Sequence, residues 1–273
     1  MRNIIYCNYH SYKYFEDYIV SIIRKVSCDV LLYANYQSIQ LLKDTRNIFI
    51  QSIPEKLVDI LTPEYNVYLV NTEQMCRTYD DWKEKMNLYP SFVKMIDFSM
   101  ENIKYYNHHN VFYIPYQVNK HEIYDFKKDS GVCIMASGDG NLPEYRKHIF
   151  DKLKEQNINV TLVSGWGRER DEVLMRHKII INLGYTPCAR IMEQIRCNRC
   201  IVNKMIVISD KKIDEDYVLE KYIIFEEYDK IVSKVIDVYN NYEKYYNELF
   251  SGFTQEELDN LEKIQESYLN ILE

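Results

Sequence analysis

Glycine and proline are scarce, with seven and six residues in a chain of 273. That excludes collagen-like and linker-dominated architectures, which need both in quantity. No stretch approaches the roughly 18 apolar residues of a membrane-spanning helix, and the N-terminal MRNIIYCNYHSYKYFEDY has no apolar run long enough for a signal peptide. A basic surplus is also missing, since 34 Lys+Arg stand against 41 Asp+Glu for a net charge of −7. General nucleic-acid binders are normally basic, so no nucleic-acid partner is expected, while a local basic pocket for a small phosphate ligand stays open. The cysteines at positions 7, 28, 76, 133, 188, 197 and 200 are odd in number and scattered. They fit free thiols in a reducing, intracellular compartment, not a disulfide framework. Neither GxxxxGK[ST], GxGxxG nor HExxH occurs. Cys197 and Cys200 make a CxxC with no second pair at metal spacing, so no metal and no cofactor are expected.

What is present reads as a soluble globular protein, with 47% hydrophobic and 27% charged residues. Short apolar runs at 3–7, 29–34, 47–53, 65–71, 94–99 and 111–116 predict strands. Helical spacing predicts helices over 12–26 and 37–43. A polar stretch, NKHEIYDFKKDSG, follows, and a second alternation begins after it. Strands are predicted at 131–136, 159–163, 178–183, 205–209 and 222–225, with helices at 143–156, 168–177, 187–203, 228–249 and 255–272. Strands alternating with helices imply parallel sheets with crossover helices. The expected fold class is therefore α/β, with two doubly wound, Rossmann-like domains facing across a cleft. The expected domains are 1–122 and 123–252. The segment 253–273 is expected either to pack back on the N-terminal domain or to serve a homodimer contact.

Arginine is unevenly placed. Of eleven, seven lie between 146 and 199: Arg146, Arg168, Arg170, Arg176, Arg190, Arg196 and Arg199. Arginine gives planar, bidentate recognition of phosphate, so an acidic chain that concentrates it near strand ends suggests an anionic ligand. Each one singly also reads as a solvated ion pair. The loop SGDGNLPEYRKH, with Gly138 and Gly140, and the loop SGWGRERDEV, with Trp166 between Gly165 and Gly167, both follow strands and precede helices. Glycine permits close backbone approach there, and helix N-termini present free N–H groups to phosphates. Trp166 is placed to form a wall for a base or sugar, or simply to cap the surface. In KIIINLGYTPCARIMEQIRCNRCIVNKMIVISD, Glu193 lies off the apolar stripe of the predicted helix, with Arg190 and Arg196 three residues to either side. A carboxylate there can accept two ribose hydroxyls, and the alternative is a set of surface ion pairs worth tenths of a kcal/mol.

These residues resemble a glycosyltransferase of the GT-B type. IMEQIRCNRCIVNKMIVISD is similar to the donor-binding helix and following strand of those enzymes, and FEEYDKIVSKVIDVYNN to the strand and helix that follow. WGRERDEVLMRHKIIINLGY resembles a segment of a group found in large DNA viruses and some bacteria, whose strand ends in Asn-(Ile/Leu)-His-Tyr, with Gly184 here in place of the His. VYLVNTEQM, IDFSMEN and YIPYQ resemble that group's first-domain motifs. The resemblance implies transfer from a nucleotide sugar without a bound metal, to a glycan, lipid or protein acceptor. It implies that Glu193 holds the ribose, with Arg146, Lys147 and Arg168 at the leaving diphosphate. Gly138, Gly165, Trp166 and Arg190 complete the expected donor site. The catalytic base is expected among His10, Glu73 and Asp97. Cytoplasm is the expected location, host cytoplasm for a viral chain. Two other functions fit the same scaffold, a non-catalytic nucleotide-binding module and a sugar-nucleotide epimerase or hydrolase.

Overall fold

The computed structural model describes residues 1–76, 81–136, 140–212 and 217–273. The chain divides into two units, Met1–Gln117 with Lys263–Glu273, and Val118–Glu262. The sequence reading placed the first boundary after 122 and started the terminal segment at 253, whereas the junctions fall at 117/118 and 262/263. The reason is local. Val118 is fully buried in the core of the second unit, and Glu122 is held there by Arg199 at 2.8 Å and by the Asn203 amide at 2.6 Å.

The first unit contains β1 (Arg2–Asn8), α1 (Tyr12–Ile23), β2 (Cys28–Tyr33), β3 (Thr45–Ile50), α2 (Glu55–Val58), β4 (Val67–Val70), α3 (Trp82–Asn87), β5 (Lys94–Asp97), α4 (Met100–Ile103) and β6 (Val111–Tyr113). Its six strands are all parallel, in the order β2-β1-β3-β4-β5-β6. Continuous burial of Ile4, Ile5, Tyr6 and Cys7, and of all four residues of β4, marks strands covered on both faces. The helix expected over 37–43 is only a 3-10 turn, Tyr36–Ser38. Buried Asn47 holds both the N–H and the C=O of Leu42, and the Tyr6 hydroxyl donates to Gln40 O, so this backbone is satisfied without a helix. Residues 263–273 belong to this unit. The Asn3 amide donates to Leu272 O at 2.8 Å, and the Gln265 amide donates to Tyr116 O at 3.2 Å.

The second unit contains β7 (Ser130–Met135), α5 (Glu144–Glu155), β8 (Val160–Val163), α6 (Gly167–Leu174), β9 (His177–Asn182), α7 (Gln194–Val202), β10 (Ile206–Asp210), β11 (Ile223–Glu226), α8 (Ile231–Asn240) and α9 (Tyr242–Phe250). The last helix, α10 (Gln255–Ser267), continues from this unit into the first. The strands are again all parallel, ordered β11-β10-β9-β7-β8. The helix expected over 228–249 is two helices. Its break is at Asn241, whose amide turns back to the Asp237 carbonyl and carboxylate. The helix expected from 187 begins only at Gln194. Residues 184–193 form a tight loop, with Ala189 N bonded to Thr186 O and Gln194 N to Met192 O, and with Ala189, Ile191 and Met192 buried.

In a parallel sheet every strand delivers its following loop to one edge. The sites an open α/β sheet offers to ligands lie there.

Candidate functional site

At the carboxyl edge of the second sheet, β9 ends in Asn182 and β10 in Ser209 and Asp210. Asn182 is fully buried. Its amide donates to Ser209 Oγ at 3.0 Å, and its Oδ1 accepts from Arg196 Nη1 at 2.8 Å. Arg196 stands in the first turn of α7. Its Nη2 lies 4.0 Å from Glu193 Oε2, and its buried Nε has no hydrogen-bond partner. Glu193 itself caps α7, where a carboxylate complements the positive end of the helix. Its backbone oxygen accepts from Arg196 N and Cys197 N.

Arg146 reaches the same edge from α5. It is only 5% exposed and spans two strand ends, with Nε donating to Leu183 O and Gly184 O at 3.0 and 3.2 Å and Nη1 to Met135 O at 3.0 Å. Burial first, and the nearby Arg196 charge second, pull its pKa down to about 10, against the pull of Glu193 and Asp210. Lys212, its side chain buried, pairs with Asp210 Oδ1 at 2.6 Å. A buried guanidinium whose charge is disfavoured by burial and by a second guanidinium, the second carrying an unsatisfied N–H, forms a place where an anion is favoured. Beside them an open depression of about 580 Å³ is lined by Tyr145, His148, Tyr185, Thr186 and Tyr228. Tyr145 stacks on Tyr228 with ring centroids 4.1 Å apart.

Gly184 explains the loop's shape. A Cβ there would stand 2.5 Å from Ala189 O and 2.8 Å from Thr186 O. A histidine at this position therefore requires a different loop. Gly184→Ala is expected to destabilise the protein by about 1–3 kcal/mol through forced displacement of backbone, measured by denaturant unfolding. Wild-type stability in that variant contradicts the close packing.

The other expected donor residues are placed as follows. Lys147 is exposed and paired with Asp151 at 2.5 Å along α5. Arg168 is exposed and paired with Glu172 at 3.1 Å along α6. Both pairs lie on exposed helix surfaces. Arg190 is exposed on the 184–193 loop and not on a helix. Gly165 and Gly167 have φ of +91° and +59° and frame half-buried Trp166 at the start of α6. Gly138 lies outside the described residues.

Two of the seven arginines, Arg170 and Arg199, serve the core of the unit. Asp171 accepts from Arg199 Nη1 at 2.9 Å, Arg170 Nε at 2.8 Å and the Tyr124 hydroxyl at 3.0 Å, all in the core of the unit. Sequence reasoning missed Asn182, Ser209, Asp210 and Lys212 as site residues. The available signal was their position at the ends of two adjacent predicted strands.

In the first unit, His10 and Glu73 follow β1 and β4, and Asp97 ends β5, at the carboxyl edge. His10 is exposed in the turn after β1. Glu73 is half-buried in the loop after β4. Asp97 ends β5 and is 0% exposed. It accepts from Asn71 Nδ2 at 2.7 Å, the Tyr106 hydroxyl at 2.8 Å, and Asn102 Nδ2 and Ser99 N at 3.0 Å. Burial raises its pKa to about 6 against the lowering effect of these bonds.

Among the described residues no group of three or more His, Cys, Asp or Glu is arranged to hold a metal ion. No described helix is long and apolar enough to cross a membrane.

No family model matches the chain. It is similar to uncharacterized protein L140 of Acanthamoeba polyphaga mimivirus, 30% identical over 247 residues that cover 85% of this chain and 78% of that protein. It is also similar to uncharacterized protein R358 of the same virus, 27% identical over 272 residues, 94% of each. Among solved structures, an alpha1,3-fucosyltransferase superposes with a TM-score of 0.54 at 12% identity, over 91% of this chain and 81% of that one. The lipopolysaccharide outer core galactosyltransferase WaaB gives 0.54 at 8% identity, over 99% and 98%. TarM gives 0.53 at 14% identity, and the match covers 87% of this chain but only 56% of TarM.

Proposed function

We propose that this chain, which belongs to the family of mimivirus protein L140 and has the GT-B glycosyltransferase fold, transfers a sugar from a nucleotide-sugar donor to an acceptor without a bound metal ion. The observation that supports this best is the cluster at the ends of β9 and β10. There the Glu193 carboxylate stands beside Arg196, whose Nε is buried and unpartnered, with Arg146 behind them.

In this reading Glu193 accepts hydrogen bonds from two ribose hydroxyls. Arg196, supported by Arg146 and the N-terminus of α6, meets the diphosphate. Transfer breaks the bond between the anomeric carbon and the diphosphate oxygen and forms one to the acceptor oxygen. The electron pair leaves with the nucleoside diphosphate, where the arginines stabilise the charge. For an inverting transfer, a base on the first unit takes the acceptor proton. Glu73 and His10 are the candidates that retain exposed surface.

The test is nucleotide release from UDP-, GDP-, CMP-, ADP- and dTDP-sugars, with and without EDTA. UDP is the first choice, because TarM has been solved with it. Release from one donor at a rate unchanged by EDTA is expected. Loss of release on chelation, restored by a divalent ion, overturns the metal-free mechanism. The burial of Asp97 favours a second reading, a binding module without turnover. Binding of a nucleotide sugar with no release under any acceptor condition selects that reading.

A further inference from the structure

In the loop after β4 the backbone of Glu73 is held by side chains at both its N–H and its C=O. The Glu73 N–H donates to Asn71 Oδ1 at 3.0 Å. Its carbonyl accepts from Asn71 Nδ2 and from Asn102 Nδ2, each at 2.9 Å. Two residues on, Met75 N donates to Asn102 Oδ1 at 2.7 Å. Both carboxamides are themselves oriented by one buried carboxylate. An ionised carboxylate can only accept, so Asp97 draws both NH₂ groups toward itself, at 2.7 and 3.0 Å. Each amide oxygen is thereby turned to the loop. The Trp82 indole N–H fixes the Asn71 oxygen from the other side at 2.7 Å. Asp97, Asn71 and Asn102 are at most 1% exposed. Burying a carboxylate with no cation among these partners is costly, and an apolar core would hold β4 against β5 without it. What the carboxylate adds is a fixed direction for both amides, whose bonds fall on the N–H and C=O of Glu73 and on the N–H of Met75.

We propose that Asp97 is a positioning residue that acts through Asn71 and Asn102 to lock the backbone of Glu73, so that Glu73, and not His10, is the base that activates the acceptor. This rests on the glycosyltransferase reading above. A base works only within hydrogen-bond reach of its proton, and a misplacement of about 1 Å costs on the order of a hundredfold in rate. With its N–H and C=O both held, the Glu73 backbone is fixed in place.

The test compares Asn102→Ala with Tyr106→Phe in the release assay, using the sugar nucleotide that the wild type turns over, UDP-glucose first. Asn102→Ala frees the Glu73 carbonyl and Met75 N–H. Tyr106→Phe removes a donor from the same carboxylate but leaves the grip in place. The expected result is a kcat at least about tenfold lower for Asn102→Ala with donor KM unchanged, a similar loss for Glu73→Gln, and a kcat within about threefold of wild type for Tyr106→Phe. Hydrogen exchange over residues 71–76 rises in Asn102→Ala while β5 stays protected. If Asn102→Ala does not fold, Trp82→Phe, which keeps an aromatic side chain but loses the indole N–H to Asn71 together with the five-membered ring, carries the same comparison.

Equal losses in Asn102→Ala and Tyr106→Phe, a raised KM with kcat unchanged, or unchanged exchange over 71–76 each overturn the proposal. A wild type that releases no nucleotide from any donor overturns the glycosyltransferase reading, and the catalytic part of this proposal with it. A wild type that turns over while Asn102→Ala matches it overturns the positioning role alone.

Discussion

Replacing Asp171 with alanine is expected to lower stability by about 3–5 kcal/mol, the cost of breaking a buried ion network by removing one sign of charge. Asp171 is 3% exposed and receives Arg199, Arg170 and the Tyr124 hydroxyl. Without it, the buried Arg170 and Arg199 guanidinium groups lose the carboxylate they share, while Glu122 stays bound to Arg199 at 2.8 Å. The same network ties the segment after Val118 to α6 and α7, because Asn203 holds both Glu122 O and Tyr124 N. A thermal midpoint lowered by on the order of 10 °C is expected. Arg168→Ala serves as control. That arginine is also in the arginine-rich stretch, but its exposed pair with Glu172 is worth roughly 0.3–0.5 kcal/mol. Equal, small effects of the two substitutions contradict the assignment of Asp171 as the hub.

The second large effect is on binding. Glu193→Ala is expected to weaken nucleotide affinity by roughly 2–4 kcal/mol, or about 30- to 1,000-fold, the loss of two hydrogen bonds to a charged acceptor. The fold is expected to survive. Glu193 is half-buried, makes no side-chain cap to α7, and contributes to the helix through its backbone oxygen, which alanine retains. Arg196→Met, which removes the charge and the buried Nε, is expected to weaken binding of the diphosphate but not of the nucleoside. Isothermal titration with both ligands separates the two contributions. Normal affinity in Glu193→Ala contradicts the ribose role.

Much of the architecture was legible in the sequence, for a definite reason. Strands buried on both faces of a parallel sheet appear as continuous apolar runs, such as Ile179 to Ile181, and these are hard to mistake. The errors fall where a buried polar side chain decides the backbone. Residues 37–43 are not helical because Asn47 and Tyr6 satisfy them from other strands. The onset of α7 is delayed to Gln194 because the loop folds over Gly184, although Pro187 alone suits a helix start.

The site was partly legible. Glu193 was singled out from its place off the apolar stripe with Arg190 and Arg196 to either side, and the structure sets it beside Arg196. Arg146 lies at the carboxyl edge of the second sheet, engaged with the carbonyls of Leu183, Gly184 and Met135. Asp97 was the least readable, since a carboxylate's burial depends on Asn71, Asn102 and Tyr106, whose convergence no local pattern encodes. The motifs VNTEQM and IDFSMEN that carried the resemblance are the two halves of that hydrogen-bonded cage.

The measurement that tests the central claim most directly is a thermal-shift comparison of wild type and Glu193→Ala against UDP, GDP, CMP, ADP, dTDP and their sugars. A ligand that binds only the folded state raises its apparent stability. The prediction is that one nucleotide and its sugars raise the midpoint of the wild type by several degrees and leave Glu193→Ala unmoved. No shift with any nucleotide, or equal shifts in both proteins, contradicts a donor site built on Glu193 at the carboxyl edge of the second sheet.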